Sequence, residues 1–532
     1  MVVSGLLLKN KAMDTNNLVE ECGVLIIGSG PIGATYARII AEQRPEVRIM
    51  MIDLGPKISS NVGQHVKNIA DTKEVEEAQI LSQGPQKGPY PMISVAERAA
   101  AAQRGDLHPD FLARAGTHLV TDTLEELKTN EMPAASLSSN VGGMGVHWTC
   151  ACPRPGNAER IPFIPFEEME AVLDKAEALL KVTQEAFDIT PEGEHILAVL
   201  NQALGENTSA KREAQPMPLA CSKDAEGKRY WTASDTILGD TLAHPNFELR
   251  AETIAKQLIH ENGKVVGGVI ENKTTGQQTE IRARLVIVAA DALRTPQLLW
   301  ASGIRPKALG HYLNEHPFIF TFVRLSPIPS KGAKKAAALE AGGLTGVFWV
   351  PFDAPNHPFH GQIMHMDMSP MKTTVASPGA EAHGAAKHIV GLGWGCLKEV
   401  NFDDQIVFSE TEKDYFGMPK MIFKYKYSTN DLRAIEEAKA FQAKVVASFG
   451  EEIKDGGQTL MPAGASLHYE GTTRMGAYDD GESVCDTYSK VWGFENLYVG
   501  GNGVIPMATT SNPTLTSVAL AIRSAENLLK KL

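Results

Sequence analysis

The feature that most constrains the fold of this chain is a glycine motif set between two apolar runs near its start. Residues 23–27 read as a short buried strand, and Gly28-Ser-Gly30-Pro-Ile-Gly33 follows at once. Residues 34–41 then have a helical pattern, and a second apolar run, 47–52, ends at Asp53. This order of strand, glycine turn, helix and strand predicts a βαβ unit that opens an α/β fold with a parallel sheet.

Each residue of the glycine motif has a physical role in binding a dinucleotide. Gly28 permits the tight turn, Gly30 lets the backbone approach a pyrophosphate, and Gly33 lets the helix pack close to the strand. The helix N-terminus offers free N–H groups and a positive dipole end to the phosphates. Asp53, 20 residues after Gly33, is placed to bind ribose hydroxyls, which argues against a 2′-phosphate and so against NADP. The motif itself leaves FAD and NAD both open.

Length, charge and cysteine usage limit the classes of protein and of partner. The 532 residues exceed one simple core, so two domains are expected, and the net charge of −12 argues against nucleic-acid and anionic-membrane surfaces. No run approaches the ~20 apolar residues of a membrane span. Lys9 and Lys11 follow a short apolar start, unlike a secretory signal, so a cytoplasmic protein is expected. The one close cysteine pair, Cys150-Ala-Cys152, lacks zinc or redox spacing, and no metal is expected.

Strand-like runs in the second half of the chain predict more sheet. The fully apolar run 285–290 is expected to add a strand to the nucleotide-binding sheet. A second, largely antiparallel sheet is predicted from the runs 318–325, 346–350, 388–392 and 420–427. Two Ala/Gly-rich stretches, 331–345 and 376–387, are predicted to be flexible loops.

A histidine and an asparagine near the C-terminus each lie in a run of small, polar and glycine residues. His468 stands in Ser-Leu-His-Tyr-Glu-Gly-Thr-Thr-Arg-Met-Gly, and Asn512 stands in Thr-Thr-Ser-Asn-Pro-Thr-Leu-Thr. Such loops usually bring backbone and side chains to a ligand. Each residue also has a structural alternative. His468 could be a buried histidine bonded to a carbonyl, and Asn512 could be a helix N-cap or an Asx-turn residue.

Four motifs that together span the chain carry a family resemblance. They are the front glycine unit, Val141-Gly-Gly-Met-Gly-Val-His-Trp-Thr-Cys-Ala-Cys-Pro-Arg154, Asn356-His-Pro-Phe-His-Gly-Gln-Ile-Met-His-Met-Asp367 and the stretch 468–515, supported by Leu309-Gly-His-Tyr-Leu-Asn-Glu-His-Pro317. In these motifs the chain resembles the glucose–methanol–choline (GMC) oxidoreductases, flavoenzymes that oxidise alcohols. Within that family it is most similar to the pyranose oxidases and their bacterial glycoside-oxidising relatives.

The resemblance implies a fold and a division into domains. A Rossmann-like FAD-binding domain would be interleaved with a substrate domain built on a mainly antiparallel sheet with helices. The implied division is an N-terminal tail (1–19), an FAD-binding domain (20–158 with 236–312 and 466–532) and a substrate domain (159–235 with 313–465). FAD is thereby favoured over NAD.

The resemblance also implies a reaction. His468 would be the base that removes the hydroxyl proton, and Asn512 would orient that hydroxyl, while hydride passes to flavin N5. The expected reaction converts a secondary hydroxyl, at C2 or C3 of a pyranose sugar or glycoside, to a keto-sugar, with O2 reduced to H2O2. Two alternatives stay open, a dehydrogenase that uses a quinone or another acceptor, and a lyase on the same fold. The identity of the sugar and the oligomeric state are left open.

The resemblance also implies which residues contact the cofactor and the substrate. The expected cofactor-binding residues are Gly28, Gly30, Gly33, Asp53, Gly143, His147, Thr149, Gly501 and Asn502. His147 matches a histidine that binds FAD covalently in pyranose oxidases, but Gly145-Val146 replaces their polar Ser-Thr pair, so covalent attachment is left open. Gln362 and Asp367 match sugar-contacting positions, although one extra residue separates them here.

Overall fold

The computed structural model describes residues 18–84, 116–326, 343–368, 387–452, 457–530 and 532. Most of the predicted tail, 1–19, and most of both predicted loops lie outside these ranges. Both loop predictions were too long at their C-terminal ends, because strands begin at Leu344 and at Lys387. Among the described residues, no helix is long and apolar enough to cross a membrane.

Strands and helices are numbered in chain order. The strands are β1 (Leu18–Ile27), β2 (Ile49–Ile52), β3 (Gly116–Leu119), β4 (Ser136–Ser139), β5 (Val182–Thr183), β6 (Gln215–Pro216), β7 (Leu219–Lys223), β8 (Arg229–Trp231), β9 (Phe247–Arg250), β10 (Thr253–Glu261), β11 (Lys264–Asn272), β12 (Gln278–Val288), β13 (Phe318–Leu325), β14 (Leu344–Val350), β15 (Phe359–Met368), β16 (Lys387–Cys396), β17 (Gln405–Lys413), β18 (Pro419–Lys424), β19 (Gly450–Glu452), β20 (Thr459–Leu460) and β21 (Leu497–Val499). The helices are α1 (Pro31–Gln43), α2 (Thr72–Gln83), α3 (Leu124–Thr129), α4 (Phe166–Leu180), α5 (Pro191–Leu204), α6 (Ser234–Leu238), α7 (Asp291–Ala301), α8 (Thr429–Phe449) and α9 (Thr514–Leu528).

The first large sheet confirms the predicted βαβ unit. Its strand order is β10-β11-β12-β1-β2-β9, and β21 pairs with β12. The pairs of β1 with β2, β1 with β12, β2 with β9 and β12 with β21 are all parallel. The predicted late strand is the end of β12, whose Val288 is in register with Ile27 of β1. The apolar residues of β1 and β2 are buried, and helix α1 packs on both strands, while α9 packs on α1.

The second large sheet is antiparallel throughout, as predicted. Its order is β19-β13-β16-β15-β14-β6, and β20 pairs with β13. Helix α8 begins with a capping box at Ser428 and buries Ile435, Val445 and Phe449 in a core shared with this sheet. One assignment was wrong: the run 420–427 does not join this sheet, because β18 pairs with β17 in a separate two-stranded sheet.

The two sheets draw on interleaved parts of the chain. Strands from 18–52, 247–288 and 497–499 form the first sheet, and strands from 215–216, 318–396 and 450–460 form the second. The boundaries proposed for the two domains stay a prediction. What positions the site is that β1, β2 and β12 all end at the same edge of the parallel sheet. In open α/β sheets, ligands bind at this edge.

Candidate active site

One cavity, of about 290 Å³, lies at the carboxyl ends of the parallel strands. It collects most of the predicted site residues from five separate stretches of the chain. Those that line it are Gly28, Gly30, Asp53, Gly143, His147, Thr149, His468, Gly501, Asn502 and Asn512. Neither Gly33 nor Gln362 is among the lining residues. The cavity therefore reaches from the front glycine motif to the C-terminal histidine–asparagine pair.

The front glycines fit the roles predicted for them. Gly28 has φ +106°, and a Cβ there would lie 2.2 Å from the Ala289 carbonyl oxygen. A Cβ on Gly33 would lie 2.0 Å from the Gly28 oxygen, so this glycine allows the helix to pack against the strand. Gly30 differs, because a Cβ there would meet only the Gly142 oxygen at 3.8 Å. The space over Gly30, at the N-terminus of α1, is part of the cavity and is open to a ligand.

Asp53 joins two loops beside the glycine motif. Its Oδ2 accepts hydrogen bonds from the Ser29 backbone N–H at 3.1 Å and from Ser29 Oγ at 2.5 Å. Its Oδ1 accepts one from the Gly55 N–H at 2.9 Å. Burial raises the pKa of Asp53, and these hydrogen bonds oppose that shift. Oδ1 still has a lone pair for another donor, as a ribose hydroxyl would require.

His147 is a buried imidazole at the end of the turn Gly143–Val146. Its Nε2 lies 3.1 Å from Thr117 Oγ1. Its Nδ1 has no hydrogen-bond partner among the described residues. Burial lowers the pKa of His147 to about 3, so the ring is neutral. An unpartnered buried nitrogen in a cavity wall is a group that a bound ligand would satisfy.

His468 and Asn512 meet at the other end of the cavity. Asn512 Nδ2 lies 3.3 Å from His468 Nε2, although 44 residues separate the two. Burial, with a smaller contribution from nearby His360, lowers the pKa of His468 to about 3. Because an amide nitrogen can only donate, His468 Nε2 presents its lone pair. A neutral imidazole whose Nε2 carries a lone pair can accept a proton.

The structural alternative for Asn512 is not formed. The residue that caps α9 is Pro513, and no side chain makes a capping hydrogen bond there. Asn512 Oδ1 has no hydrogen-bond partner among the described residues, so the side chain forms no Asx-turn either. Its amide is therefore available to the cavity.

Two buried carboxylates that the sequence reading missed hold the loops of this pair. Glu159 accepts hydrogen bonds from the backbone N–H groups of Thr510 at 2.6 Å and Ser511 at 3.0 Å, and from both hydroxyls at 2.9 Å. It also accepts one from the Gly156 N–H at 2.6 Å. Its partners on the C-terminal loop are 351 and 352 residues away in sequence, so no local pattern indicates its role.

Glu315 holds the histidine loop in the same way. It accepts hydrogen bonds from the Gly464 N–H at 2.5 Å and from Ser466 N–H and Oγ, both at 2.8 Å. Ser466 Oγ in turn accepts the His468 N–H at 3.2 Å. Burial raises the pKa of Glu315 to about 7. Glu315 lies in the motif 309–317, but no local pattern there distinguishes it from a surface glutamate.

Of the two residues predicted to contact the sugar, the structure describes the side chain of Gln362 alone. Gln362 is buried in β15, in register with Trp349 of β14 and Gly393 of β16. It shares a strand face with His360, two residues before it, and His360 interacts with Asn512. Asp367 lies in the same strand, but its side chain is outside what the structure describes. Substrate contact by Gln362 and Asp367 stays a prediction.

A Rossmann-like sheet with a cavity that runs from a dinucleotide motif to a neutral histidine and an amide defines a dinucleotide-dependent oxidoreductase. Sequence comparison agrees with this class and narrows it. Profiles of the GMC oxidoreductases match residues 157–318 and 406–521. The chain belongs to the GMC oxidoreductase family.

Individual relatives extend the likeness over the whole chain. A C-glycoside 3-oxidase of Microbacterium trichothecenolyticum is 43% identical over 519 residues, covering 97% of this chain and 98% of that protein. A pyranose 2-oxidase of Tricholoma matsutake is 29% identical, covering 97% and 95%. Among solved structures, formate oxidase of Aspergillus oryzae RIB40 has a TM-score of 0.64 at 15% identity, covering 97% of this chain and 99% of its own. That structural likeness supports the fold alone.

Membership of this family implies FAD, and the residues present fit it. The open space over Gly30 would admit a pyrophosphate, and Asp53 Oδ1 would accept from a ribose hydroxyl. His147 Nδ1 and Asn512 Oδ1, which have no hydrogen-bond partner among the described residues, are polar atoms that a bound cofactor could satisfy. The individual cofactor contacts remain predictions.

Proposed function

We propose that this protein oxidises the C3 hydroxyl of a pyranose glycoside to a ketone, with O2 as the final electron acceptor. The observation that carries the proposal is the near full-length likeness to a C-glycoside 3-oxidase, 43% over 97% of the chain. The His468–Asn512 pair, open to the nucleotide cavity, supports it chemically. The more distant likeness to pyranose 2-oxidases makes oxidation at C2 the second candidate.

In this proposal, the pair handles the hydroxyl proton. A sugar hydroxyl that enters between the two side chains would accept a hydrogen bond from Asn512 Nδ2 and donate one to His468 Nε2. Because burial keeps His468 neutral, its Nε2 can take the proton as hydride leaves the carbinol carbon. Bound FAD supplies the two-electron acceptor for that hydride, and O2 can take the electrons on to H2O2.

The proposed cofactor contacts follow the cavity wall. Gly28, Gly30 and the N-terminus of α1 would bind the phosphates, and Asp53 would bind the ribose. The residues assigned to the flavin ring are His147, Thr149, Gly501 and Asn502. Gln362 and Asp367 are assigned to the sugar.

We further propose that FAD is held without a covalent bond. In support, His147 Nε2 is engaged by Thr117 Oγ1 at 3.1 Å, and the neighbouring Gly145 and Val146 bring no polar side chain to the ring. Acid precipitation of the purified holoenzyme tests this directly. All the flavin should appear in the supernatant, and flavin fluorescence that stays with the denatured chain would overturn the assignment.

The reaction is tested by mixing the oxidised holoenzyme anaerobically with C-glycosides, O-glycosides and free sugars. A C-glycoside should bleach the visible flavin absorbance fastest, and the isolated product should be its 3-keto derivative. A 2-keto product would favour the second candidate, and a flavin that stays oxidised with every sugar would contradict the proposal.

The final acceptor is tested separately. After anaerobic reduction by the substrate, the flavin should reoxidise rapidly with O2 and yield H2O2 in equal amount to the keto product. If a quinone reoxidised it far faster than O2, the protein would be a dehydrogenase of the same hydroxyl instead.

A further inference from the structure

A line of hydrogen bonds leads from His468 away from the cavity into the protein. His468 Nδ1 lies 3.2 Å from His316 Nδ1, and His316 Nε2 lies 3.0 Å from Thr509 Oγ1. Thr509 Oγ1 lies 2.7 Å from Glu470 Oε1. His316, Thr509 and Glu470 are buried, and none of them lines the cavity. We call His468, His316, Thr509 and Glu470 the relay.

When Glu470 is ionised, its end of the relay fixes the direction of every hydrogen bond in it. An ionised carboxylate can only accept, so Thr509 donates its O–H to Glu470 and must accept from His316 Nε2–H. A neutral His316 then has its lone pair on Nδ1 and accepts from His468 Nδ1–H. His468 is left with its lone pair on Nε2, the atom that faces Asn512.

The contacts on the Asn512 side of His468 select the same tautomer of its ring. Trp349 Nε1–H donates to His360 Nδ1 at 3.0 Å, so a neutral His360 carries its proton on Nε2. Asn512 interacts with His360 and raises its pKa, although burial outweighs this and lowers that pKa to about 3. The Asn512 amide nitrogen, 3.3 Å from His468 Nε2, can only donate, so this contact places the lone pair of His468 on Nε2. Both ends therefore select one tautomer of His468.

We propose that Glu470, acting through Thr509 and His316, sets His468 in the tautomer that can accept a proton, and stores that proton when the substrate is oxidised. This inference deepens the proposed function and rests on it for the source of the proton. In it, Glu470 is a positioning residue, because it touches neither substrate nor cofactor.

The proton balance is closed by one transfer from the substrate and three shifts along the hydrogen bonds of the relay. The substrate O–H bond breaks and His468 Nε2–H forms, while the His468 Nδ1 proton moves to His316 Nδ1. The His316 Nε2 proton moves to Thr509 Oγ1, and the Thr509 hydroxyl proton moves to Glu470 Oε1. One proton has entered and one carboxylate has become a carboxylic acid, so neither imidazole keeps a charge. The reverse shifts return one proton to the cavity when O2 is reduced to H2O2.

The surroundings of Glu470 suit a proton store. Its Oε2 has no hydrogen-bond partner among the described residues, and the whole side chain is buried. Burial, and the nearby charge of Glu159, raise its pKa well above the ordinary value, while Thr509 opposes the shift. Burial also keeps the pKa of His316 low, helped by His468 and His360, so both relay imidazoles are neutral. A neutral relay that ends in a readily protonated carboxylate passes a proton without leaving a buried cation.

The tautomer of His468 can be read by NMR in oxidised holoenzyme with isotope-labelled histidine, its signal assigned by loss in His468→Gln. In the wild type, the ring should change from the Nδ1–H to the Nε2–H tautomer as falling pH protonates Glu470. The change should vanish in Thr509→Val and persist in Thr509→Ser, which keeps the hydroxyl. Thr321→Val is the matched control, because Thr321 also donates to a glutamate, Glu452, but outside the relay. This control should behave as the wild type.

Glu470→Gln is a second variant that does not depend on the folding of the valine variant. Its amide oxygen can still accept from Thr509, but it cannot take up a proton, so the His468 tautomer should not change with pH. Anaerobic flavin reduction should slow by about tenfold or more in Glu470→Gln and Thr509→Val, with substrate affinity changed less than about twofold. A tautomer change that persists in both variants, or a wild-type His468 that carries its proton on Nε2 at every pH, would overturn the relay.

Failure of the relay and failure of the proposed function can be told apart. The NMR titration needs no substrate, so it decides the relay even if no glycoside reduces the flavin. If a glycoside reduces the flavin at the same rate in Glu470→Gln and in the wild type, the relay is wrong while the proposed function stands.

Discussion

Asn512 Nδ2 lies 3.3 Å from His468 Nε2, and both residues line the cavity. The two loops that carry these residues are each tied down by a buried carboxylate, Glu159 for the first and Glu315 for the second. The two loops thus hold the proposed proton acceptor and hydrogen-bond donor in place. Order of this kind lowers the entropic part of the barrier for the reaction.

Removing either member of the pair should slow flavin reduction to different extents. His468→Ala removes the proton acceptor, so the anaerobic reduction rate should fall about a hundredfold to ten-thousandfold. Asn512→Ala removes one orienting hydrogen bond and should cost about tenfold to a hundredfold. Stopped-flow absorbance measures both rates, and the flavin spectrum before mixing checks that the cofactor is bound. A wild-type rate in His468→Ala would show that the proton goes elsewhere.

Larger residues at Gly30 and Gly33 should have different effects on the stability of the apoprotein and on its affinity for FAD. Gly30 has φ −62°, and a Cβ there would meet only the Gly142 oxygen at 3.8 Å. Gly30→Val should therefore change the free energy of unfolding of the apoprotein by less than about 1 kcal/mol. Its side chain would fill the space assigned to the pyrophosphate, so FAD affinity should fall by about a hundredfold or more.

Gly33→Ala is the matched comparison, because a Cβ there would lie 2.0 Å from the Gly28 oxygen. It should destabilise the apoprotein itself, by about 2 kcal/mol or more. Urea unfolding of the apoproteins and fluorescence titration with FAD separate the two effects. Equal FAD affinity in Gly30→Val and the wild type would contradict the assignment of this space.

Glu159→Ala should destabilise the protein strongly. The change leaves the buried N–H groups of Thr510, Ser511 and Gly156 without their acceptor. The free energy of unfolding should fall by about 2–4 kcal/mol, as measured by urea denaturation. Glu167→Ala, at an exposed position of α4, is the control and should cost less than about 1 kcal/mol. A similar small loss for both would mean that Glu159 does not hold the loop.

The sequence predicted the parts of the molecule that depend on short-range pattern. The βαβ unit could be predicted because its turn glycines, buried strands and terminal acid lie at fixed short spacings in the sequence. His468 and Asn512 were singled out by the composition of their loops and by resemblance. Glu159 and Glu315 were missed, because their hydrogen bonds join residues far apart in sequence and a buried carboxylate has no local signature. The separate β17–β18 sheet was missed because strand pattern does not specify the pairing partner.

The buried carboxyl of Glu315 should make the stability of the protein depend on pH. Burial raises its pKa from the ordinary 4.5 to about 7 in the folded state. Between these two pH values the folded protein binds more protons than the unfolded chain, so the free energy of unfolding falls as pH rises through this range. The loss from this one group should approach about 3 kcal/mol above the folded pKa.

Glu315→Gln cannot titrate, so it isolates this contribution. Its amide disrupts part of the acceptor set at Gly464 and Ser466, which lowers stability by a similar amount at every pH. The difference between wild type and variant should therefore be largest at and below pH 4.5, and shrink, or change sign, as pH rises above about 7. Urea unfolding of both proteins at several pH values measures it. A difference that is constant with pH would mean that Glu315 titrates alike in the folded and unfolded chains.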